Sequence, residues 1–518
     1  MTKKLQIFSL ILVPVLVALY IVFHFYVKSS IKNYLNNTLS KDFNIQYEDF
    51  NLNVFKGSVH FDNVIFETKT IHSDKPAIIL KLKTLSVENF KYINYLITKN
   101  IDVSAIKLKQ PEIKYYKKPS KPHSKPLKNL KNILKIGTFD VSKAQFKMFN
   151  TETDSLLLSS DNFNFQLKNI ELNNETLKSK IPLKYKDYHV SFDSFFYKMN
   201  AFDNLKIGHS EITSKNMDLD TFKIYTKHSK LSLSKHLLIE RDHANLICDK
   251  IEINNYDFGL KNDTLFYFNS PKISIKKPSL DLFTDKLVAN KRSFKPLYSR
   301  LLRELKFSLA IDEVEINEGD LTYSERVKNN NFDGKITFSK LNANLQNLGN
   351  TYKNVKTTIN IEANFMKQAP IKAFWNFDVN DLNDHFNFSA KISNLKVRDI
   401  NEFSEPNLNL QFQGAIDELD FNIVRNNMKS NIDLKIKYEN LKIEPLRKDH
   451  KTINILESKL ISLFIFNKSE TNKFRESHKE GIIRDPSKSF FSFVWLNTKT
   501  GLFDALTNRN ASSHKKPS

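Results

Sequence analysis

Long stretches of the chain alternate apolar and polar residues, and five times the alternation slips by one residue at a small residue or a proline. In FNLNVFKGSVHF (50–61) the apolar side chains fall at Leu52 and Val54, then at Val59 and Phe61, with Gly57 between. The spacing returns at Ile106, Leu108, Pro111, Ile113 and Tyr115, and at Phe139, Val141, Ala144, Phe146 and Met148. It returns again at Ile273, Ile275, Pro278, Leu280 and Leu282, and at Val314, Ile316, Gly319, Leu321 and Tyr323. Period-2 alternation makes a strand with one apolar face. A slip of one residue turns the following half over, unless a β-bulge or sharp bend returns it to the same face. The alternative is a tight turn, with the two halves as hairpin arms. Either way an apolar face has to be covered.

Further one-sided strands are expected at Phe163, Phe165 and Leu167, at Leu408, Leu410 and Phe412, and at Ile432, Leu434, Ile436 and Tyr438. Helical patterns are few: residues 32–39 and 295–305, an ambiguous 87–97, and FFSFVWLNTKTGLFDAL at 490–506. In the last, Phe491, Val494, Trp495, Leu502, Ala505 and Leu506 fall near one side, a face for docking on the body or for a membrane interface.

Residues 5–27, LQIFSLILVPVLVALYIVFHFYV, carry no formal charge besides a possible one on His24. At about 1.5 Å per residue a helix of this length crosses a hydrocarbon core of roughly 30 Å. Leu5, Ile7, Leu10, Leu12, Leu16, Leu19, Val22 and Val27 are its expected lipid-facing residues. Lys3 and Lys4 favour a cytoplasmic N-terminus, and the aromatic run from Tyr20 to Tyr26 argues against a cleavage site. The expectation is a single-pass anchor with the rest of the chain outside the cytoplasm. Net charge +22 then points to anionic headgroups of membrane phospholipids rather than to nucleic acid.

Signatures of catalysis are missing: there is no HExxH, GxSxG, Walker A or dinucleotide GxGxxG. The lone Cys248 excludes an intramolecular disulfide and paired-thiol zinc sites. His236, Asp242, His243, Cys248 and Asp249 match no ligand spacing, and Asp312, Glu313, Glu315 and Glu318 read as the wet face of a strand. The expectation is a non-enzyme without cofactor or metal.

The anchor followed by NYLNNTLSKDFNIQYEDFNLNVFKGSVHFDNVIF resembles the start of AsmA-like envelope proteins. IDVSAIKLKQPEIKYY is similar to their strand–turn–Pro–strand unit. FQGAIDELDFNIVRNNMKSNIDLKIKYENLKI resembles their C-terminal region, with Gly414, Tyr438, Leu441 and Lys442 in the matching places. Residues 490–506 resemble the end of a subgroup found in Bacteroidota. The resemblance implies a mainly β fold: a transmembrane helix, then an elongated, curved, mostly antiparallel β-sheet groove with few short helices and a C-terminal amphipathic helix. It implies a role in lipid transport and outer-membrane homeostasis, with possible envelope protein partners. The candidate lipid-facing residues are Leu52, Val54, Val59, Phe61, Phe139, Val141, Phe163, Phe165, Leu167, Leu408, Leu410, Phe412, Ile432, Leu434 and Ile436. A structural β-protein with closed sandwich domains is the alternative. The expected segments are an anchor (1–40), a first β unit (41–116), a Lys/Pro-rich linker (117–131) and a middle β region (132–292). A C-terminal β region (293–466), a polar linker (467–489), the helix (490–507) and a disordered tail (508–518) follow.

Overall fold

The computed structural model describes residues 3–41 (side chains from 17 to 40), 43–68, 76–117, 132–329, 333–426, 428–446 and 473–507. Twenty-five strands among them join one mixed sheet. Contacts divide the chain into two units, 1–201 with 205–219, and 202–204 with 220–518.

In the N-terminal unit, Ile101–Lys109 and Glu112–Lys117 are two halves of one bent strand, both parallel to Leu134–Asn150. Ile106 lies opposite Phe139, Leu108 opposite Val141, Ile113 opposite Phe146 and Tyr115 opposite Met148. Two copies of the sequence pattern therefore run side by side in register. The C-terminal unit repeats the arrangement. Leu265–Lys276 and Ser279–Asp285 lie parallel to Ser308–Arg326, pairing Ile273 with Val314, Ile275 with Ile316, Leu280 with Leu321 and Leu282 with Tyr323.

Each bend is one residue in the left-handed region, placed just before the small residue or proline: Gln110 (φ 49), Lys143 (φ 54), Lys277 (φ 46) and Glu318 (φ 54). Such a backbone costs a non-glycine residue roughly 1–2 kcal/mol. Alignment of the bends offsets that cost, because the ladder resumes at once. Gln110 N donates to Ser142 O and Gln145 N to Pro111 O, both at 2.8 Å. Lys277 N donates to Asn317 O at 2.8 Å and Asp320 N to Pro278 O at 2.7 Å.

The first copy resolves differently. Asp49–Asn53 and Ser58–Thr68 form a hairpin that pairs Leu52 with Val59 and Phe50 with Phe61. Gly57 (φ +60) closes the turn, and Lys56 N donates to Asn53 Oδ1 at 3.0 Å.

The sheet is mostly antiparallel, as expected; parallel pairings among the described residues come where each bent strand forms with its neighbour a parallel ladder in two segments. Several expectations need correction. Leu408 ends the short helix Asn401–Leu408 and is exposed; the strand starts at Leu410, after Asn409 turns left-handed (φ 56). Residues 467–489 hold an edge strand, Arg475–Ile483, in which Arg475 is buried and donates to Ala505 O, while Glu476, His478 and Glu480 are exposed. Residues 87–97 divide into the end of the strand Ile78–Phe90 and the helix Tyr92–Thr98. Residues 118–131, 447–472 and 508–518, which include most of the expected linker and the tail, lie outside the described residues.

A side chain at position 57 would place its Cβ 2.5 Å from Phe90 O and 2.8 Å from Phe90 N, both backbone atoms. Gly57→Val is therefore expected to destabilise the first hairpin by about 2–4 kcal/mol. Amide hydrogen exchange would register this as lost protection across residues 49–68; unchanged protection there contradicts it.

Candidate functional site

Pairing carries one apolar side chain per strand across each unit. In the N-terminal unit one file runs Phe50, Phe61, Leu85, Leu108, Val141, Phe165, Val190, Ile212, Met217, each opposite the next. In the C-terminal unit one runs Ile253, Ile273, Val314, Leu345, Ile359, Trp375, Phe388, Ile423, Ile432. No polar residue interrupts either file. The opposite face is wet, with ion pairs such as Lys272–Glu315 at 2.9 Å and Lys276–Glu252 at 2.8 Å.

What covers the apolar face changes along the chain. At its start, Leu52, Val54 and Phe61 are buried in a cluster completed by Val59 and by Tyr20, Val27, Ile31 and Leu35 of the helix Lys3–Asn37. Cover for these four candidate lipid-facing residues is protein. Val27 likewise packs on the sheet, whereas Leu19 and Val22 are exposed. Leu5, Ile7, Leu10, Leu12 and Leu16 lie on the same helix, in the part whose side chains are outside the described residues. Among the described residues no helix is long and apolar enough to cross a membrane.

At the other end, the helix Phe490–Thr507 docks on the strands Lys429–Pro445 and Arg475–Ile483. It seals Ile432, Leu434 and Ile436, which are fully buried or nearly so. Gly501 lets the backbone approach, since a Cβ there would lie 3.2 Å from Leu434. Asn497 is wholly buried and accepts a 2.6 Å hydrogen bond from Ser430 Oγ. Phe490 stacks on Trp375 with ring centres 4.2 Å apart, and Tyr298 of the short helix Tyr298–Arg303 meets both edge-on. Phe412 packs on this core, and Leu410 pairs with Pro445 at its margin.

The docked face overlaps the one the apolar spacing picked out only in part. Ala505 and Leu506 are buried, Val494 and Leu502 half-buried against the core, and Phe491 and Trp495 exposed. Apolar residues surround this helix, so close approach through Asn497, Thr498, Gly501 and Ala505 decided its orientation rather than hydrophobicity.

Between these ends the apolar face is covered by its own neighbours. Phe139, Val141, Phe163 and Phe165 are half-buried. Phe139 and Phe165 pack with Val103, Ile136, Leu167 and Ile170 in a cluster with no member on a helix. Phe165 has its ring centre 6.3 Å from Phe139 and 6.5 Å from Phe163. This stretch, with Leu108, Val190 and Ile212 beside it, is the surface that can accept an apolar ligand.

A second row of bends here escaped the sequence pattern. Asn89 (φ 55), Ser104, Gly137 and Asn169 (φ 54) lie at one level of four adjacent strands. Asn89 Nδ2 donates to Ser104 Oγ at 2.8 Å. Asparagine tolerates the left-handed region, so the phrases VENF and LKNI were the available signal.

Polar side chains gather on the C-terminal unit around Asp285, buried and ion-paired with Arg326, and Thr284, which donates to Asp242. Tyr323 donates to Glu325 at 2.7 Å, and burial raises its pKa. His243 Nε2 lies 2.9 Å from His228 O. Asp285, Thr284 and Tyr323 are each hydrogen-bonded within this group, and among the described residues no cluster of His, Cys, Asp and Glu has metal-holding geometry. Burial and the Asp249 charge push the Cys248 thiol up to about 11, which leaves it a poor nucleophile at neutral pH. A surface hollow of ≈ 540 Å³ beside the first hairpin is lined mostly by Asn51, Asn53, Ser58, His60, Ser86 and Glu88, without convergent chemistry.

No family model and no curated protein matches this chain.

Gly501→Leu is expected to lift the C-terminal helix from Leu434, seen as cleavage after Trp495 or Phe503 at least about tenfold faster in limited proteolysis; an unchanged rate contradicts the docking role. The edge strand carries a pH dependence. His478 is held up first by its Asp433 contact (2.5 Å) and then by Glu480 (3.0 Å). A raised folded pKa gives stability that is present at low pH and lost as pH rises through it. Exchange protection in 475–483 should fall as pH rises through the raised His478 pKa, and His478→Gln should flatten that dependence.

Proposed function

We propose that this chain is a single-pass, membrane-anchored protein of the cell envelope that shields or conveys lipid acyl chains along the apolar face of its sheet. The observation carrying the proposal is the uninterrupted nine-residue file of the N-terminal unit, whose middle has no helix over it among the described residues. Such a surface holds acyl chains by area alone, at about 0.8 kcal/mol per CH₂ removed from water, and needs no directed contact. Because no bond is broken, this role asks for no catalytic constellation. The AsmA-like resemblance of the anchor, the strand–Pro–strand units and the C-terminal region points the same way. By that resemblance the anchor would sit in the inner membrane, with the N-terminus in the cytoplasm and the sheet in the periplasm. Exposed lysines give the wet face an affinity for anionic headgroups.

A second reading has its own support. The C-terminal core from Trp375 to Tyr438 is dry and capped by a helix, as in a structural β-protein with a closed interior.

Photo-crosslinking separates the two. A benzophenone side chain placed at Val141 or Phe165 in the full chain is expected to give a phospholipid adduct in cells, and one at Gln166, on the wet face, none. Adducts absent at 141 and 165, or equal at all three positions, overturn the conveying role. Phe165→Asp should abolish the adduct at 141 while circular dichroism stays unchanged; a closed structural protein would unfold instead.

A further inference from the structure

The first hairpin and the short helix after the fourth strand expose more apolar surface than folding explains. Phe55, in the hairpin turn, is 82% exposed. No residue of the helix Tyr92–Thr98 is buried, and Ile93, Leu96 and Ile97 are 75%, 67% and 77% exposed. A seven-residue helix without a buried face gains little from packing, and its side chains are among the least soluble available.

Both elements touch the N-terminal helix at one level. Tyr20 stacks on Phe55 with ring centres 4.3 Å apart, and Phe23 meets Tyr92 edge-on at 5.8 Å. Below that level, Val27, Ile31 and Leu35 pack on the sheet. Above it the sequence continues apolar back to Leu5. From Leu5 to Phe23 a helix rises about 28 Å at 1.5 Å per residue, close to the hydrocarbon thickness of a bilayer. The contacts with Phe55 and Tyr92 therefore fall where a spanning helix would leave the acyl region.

Charge supports the placement. Residues 54–57 and 91–99 contain Lys56, Lys91 and Lys99 and no carboxylate. Lys28 lies over the Phe50 ring and Lys99 over the Tyr95 ring. Lysines beside exposed aromatic and aliphatic side chains suit a surface of anionic headgroups above acyl chains.

We infer that Phe55 and the helix Tyr92–Thr98 rest in the headgroup–acyl boundary of the membrane that the N-terminal helix enters, two feet that fix how the sheet meets that membrane. The inference rests on the anchor proposed above. Its consequence is geometric: one helix alone leaves the sheet free to swivel, whereas three contacts hold the start of the apolar file against the lipid.

The test uses the full chain in vesicles of phosphatidylethanolamine and phosphatidylglycerol. Val22→Cys, Phe55→Cys, Leu96→Cys and Glu152→Cys are made singly in a Cys248→Ala background and labelled with an environment-sensitive nitrobenzoxadiazole. Glu152 lies in the loop after Asn150, about 50 Å along the strand from the level of Ile101. Labels at 22, 55 and 96 are expected to shift to the blue. Those at 55 and 96 should be quenched about twofold more by lipids with a shallow nitroxide than with a deep one. The label at 152 should remain water-like. If 22 is quenched while 55 and 96 match 152, the feet are refuted and the anchor stands. If 22 also matches 152, the anchor fails and the feet fail with it.

Discussion

Side-by-side matching of apolar residues across paired strands is the constraint on which this structure rests. Because side chains alternate, a one-residue error in register would put a whole strand's apolar set into water. The nine-residue files show that the chain avoids this from strand to strand, through both antiparallel and parallel ladders. The bends obey the same rule. A left-handed residue in one strand shifts its face, so the neighbour must shift at the same level. Gln110 therefore has Lys143 beside it, and Lys277 has Glu318. The proline or small residue that follows lets the two backbones approach; Gly319, for example, sits where a Cβ would lie 3.0 Å from Pro278.

A single-layer sheet leaves its apolar face to be covered, and the two ends do this with helices of different character. The N-terminal helix brings Val27, Ile31 and Leu35 to Phe50, Leu52 and Phe61 and extends beyond the sheet at its other end. The C-terminal helix is held by fit as well as by area. Its wholly buried Asn497 accepts from Ser430 and donates to Phe493 O, so that both polar groups of the amide are used. Between the helices, Phe139, Val141, Phe163 and Phe165 are half-buried, and the cluster beside them has no member on a helix. Function is proposed for that stretch.

The wet face adds solubility more than stability. Its pairs, such as Lys372–Glu362, are largely exposed, and pairs of that kind add little to stability because water screens them. The deep exception is Asp285 with Arg326, where loss of either partner would strand a buried charge. Its place beside Thr284, Asp242 and Tyr323 ties strand ends together.

Much of this was determined by the sequence alone. Alternation along single strands identified the β class, and the slips at Gly57, Pro111, Ala144, Pro278 and Gly319 marked five interruptions, because a one-residue shift of parity is written in the chain whatever strand lies beside it. Whether a slip became a turn or a bend was decided by tertiary structure. Gly57 closes a hairpin against Phe90, while Pro111 finds the matching bend at Lys143, and that match depends on a partner 32 residues away in the chain. The bend through Asn89 and Asn169 was hidden because asparagine permits the left-handed region without requiring it. Leu408 read as strand because three alternating residues carry no information about where a helix ends. The orientation of the C-terminal helix was also beyond the sequence. With apolar residues on every side, periodicity names no preferred face, and the choice fell to the side on which Gly501 and Asn497 fit against Leu434 and Ser430.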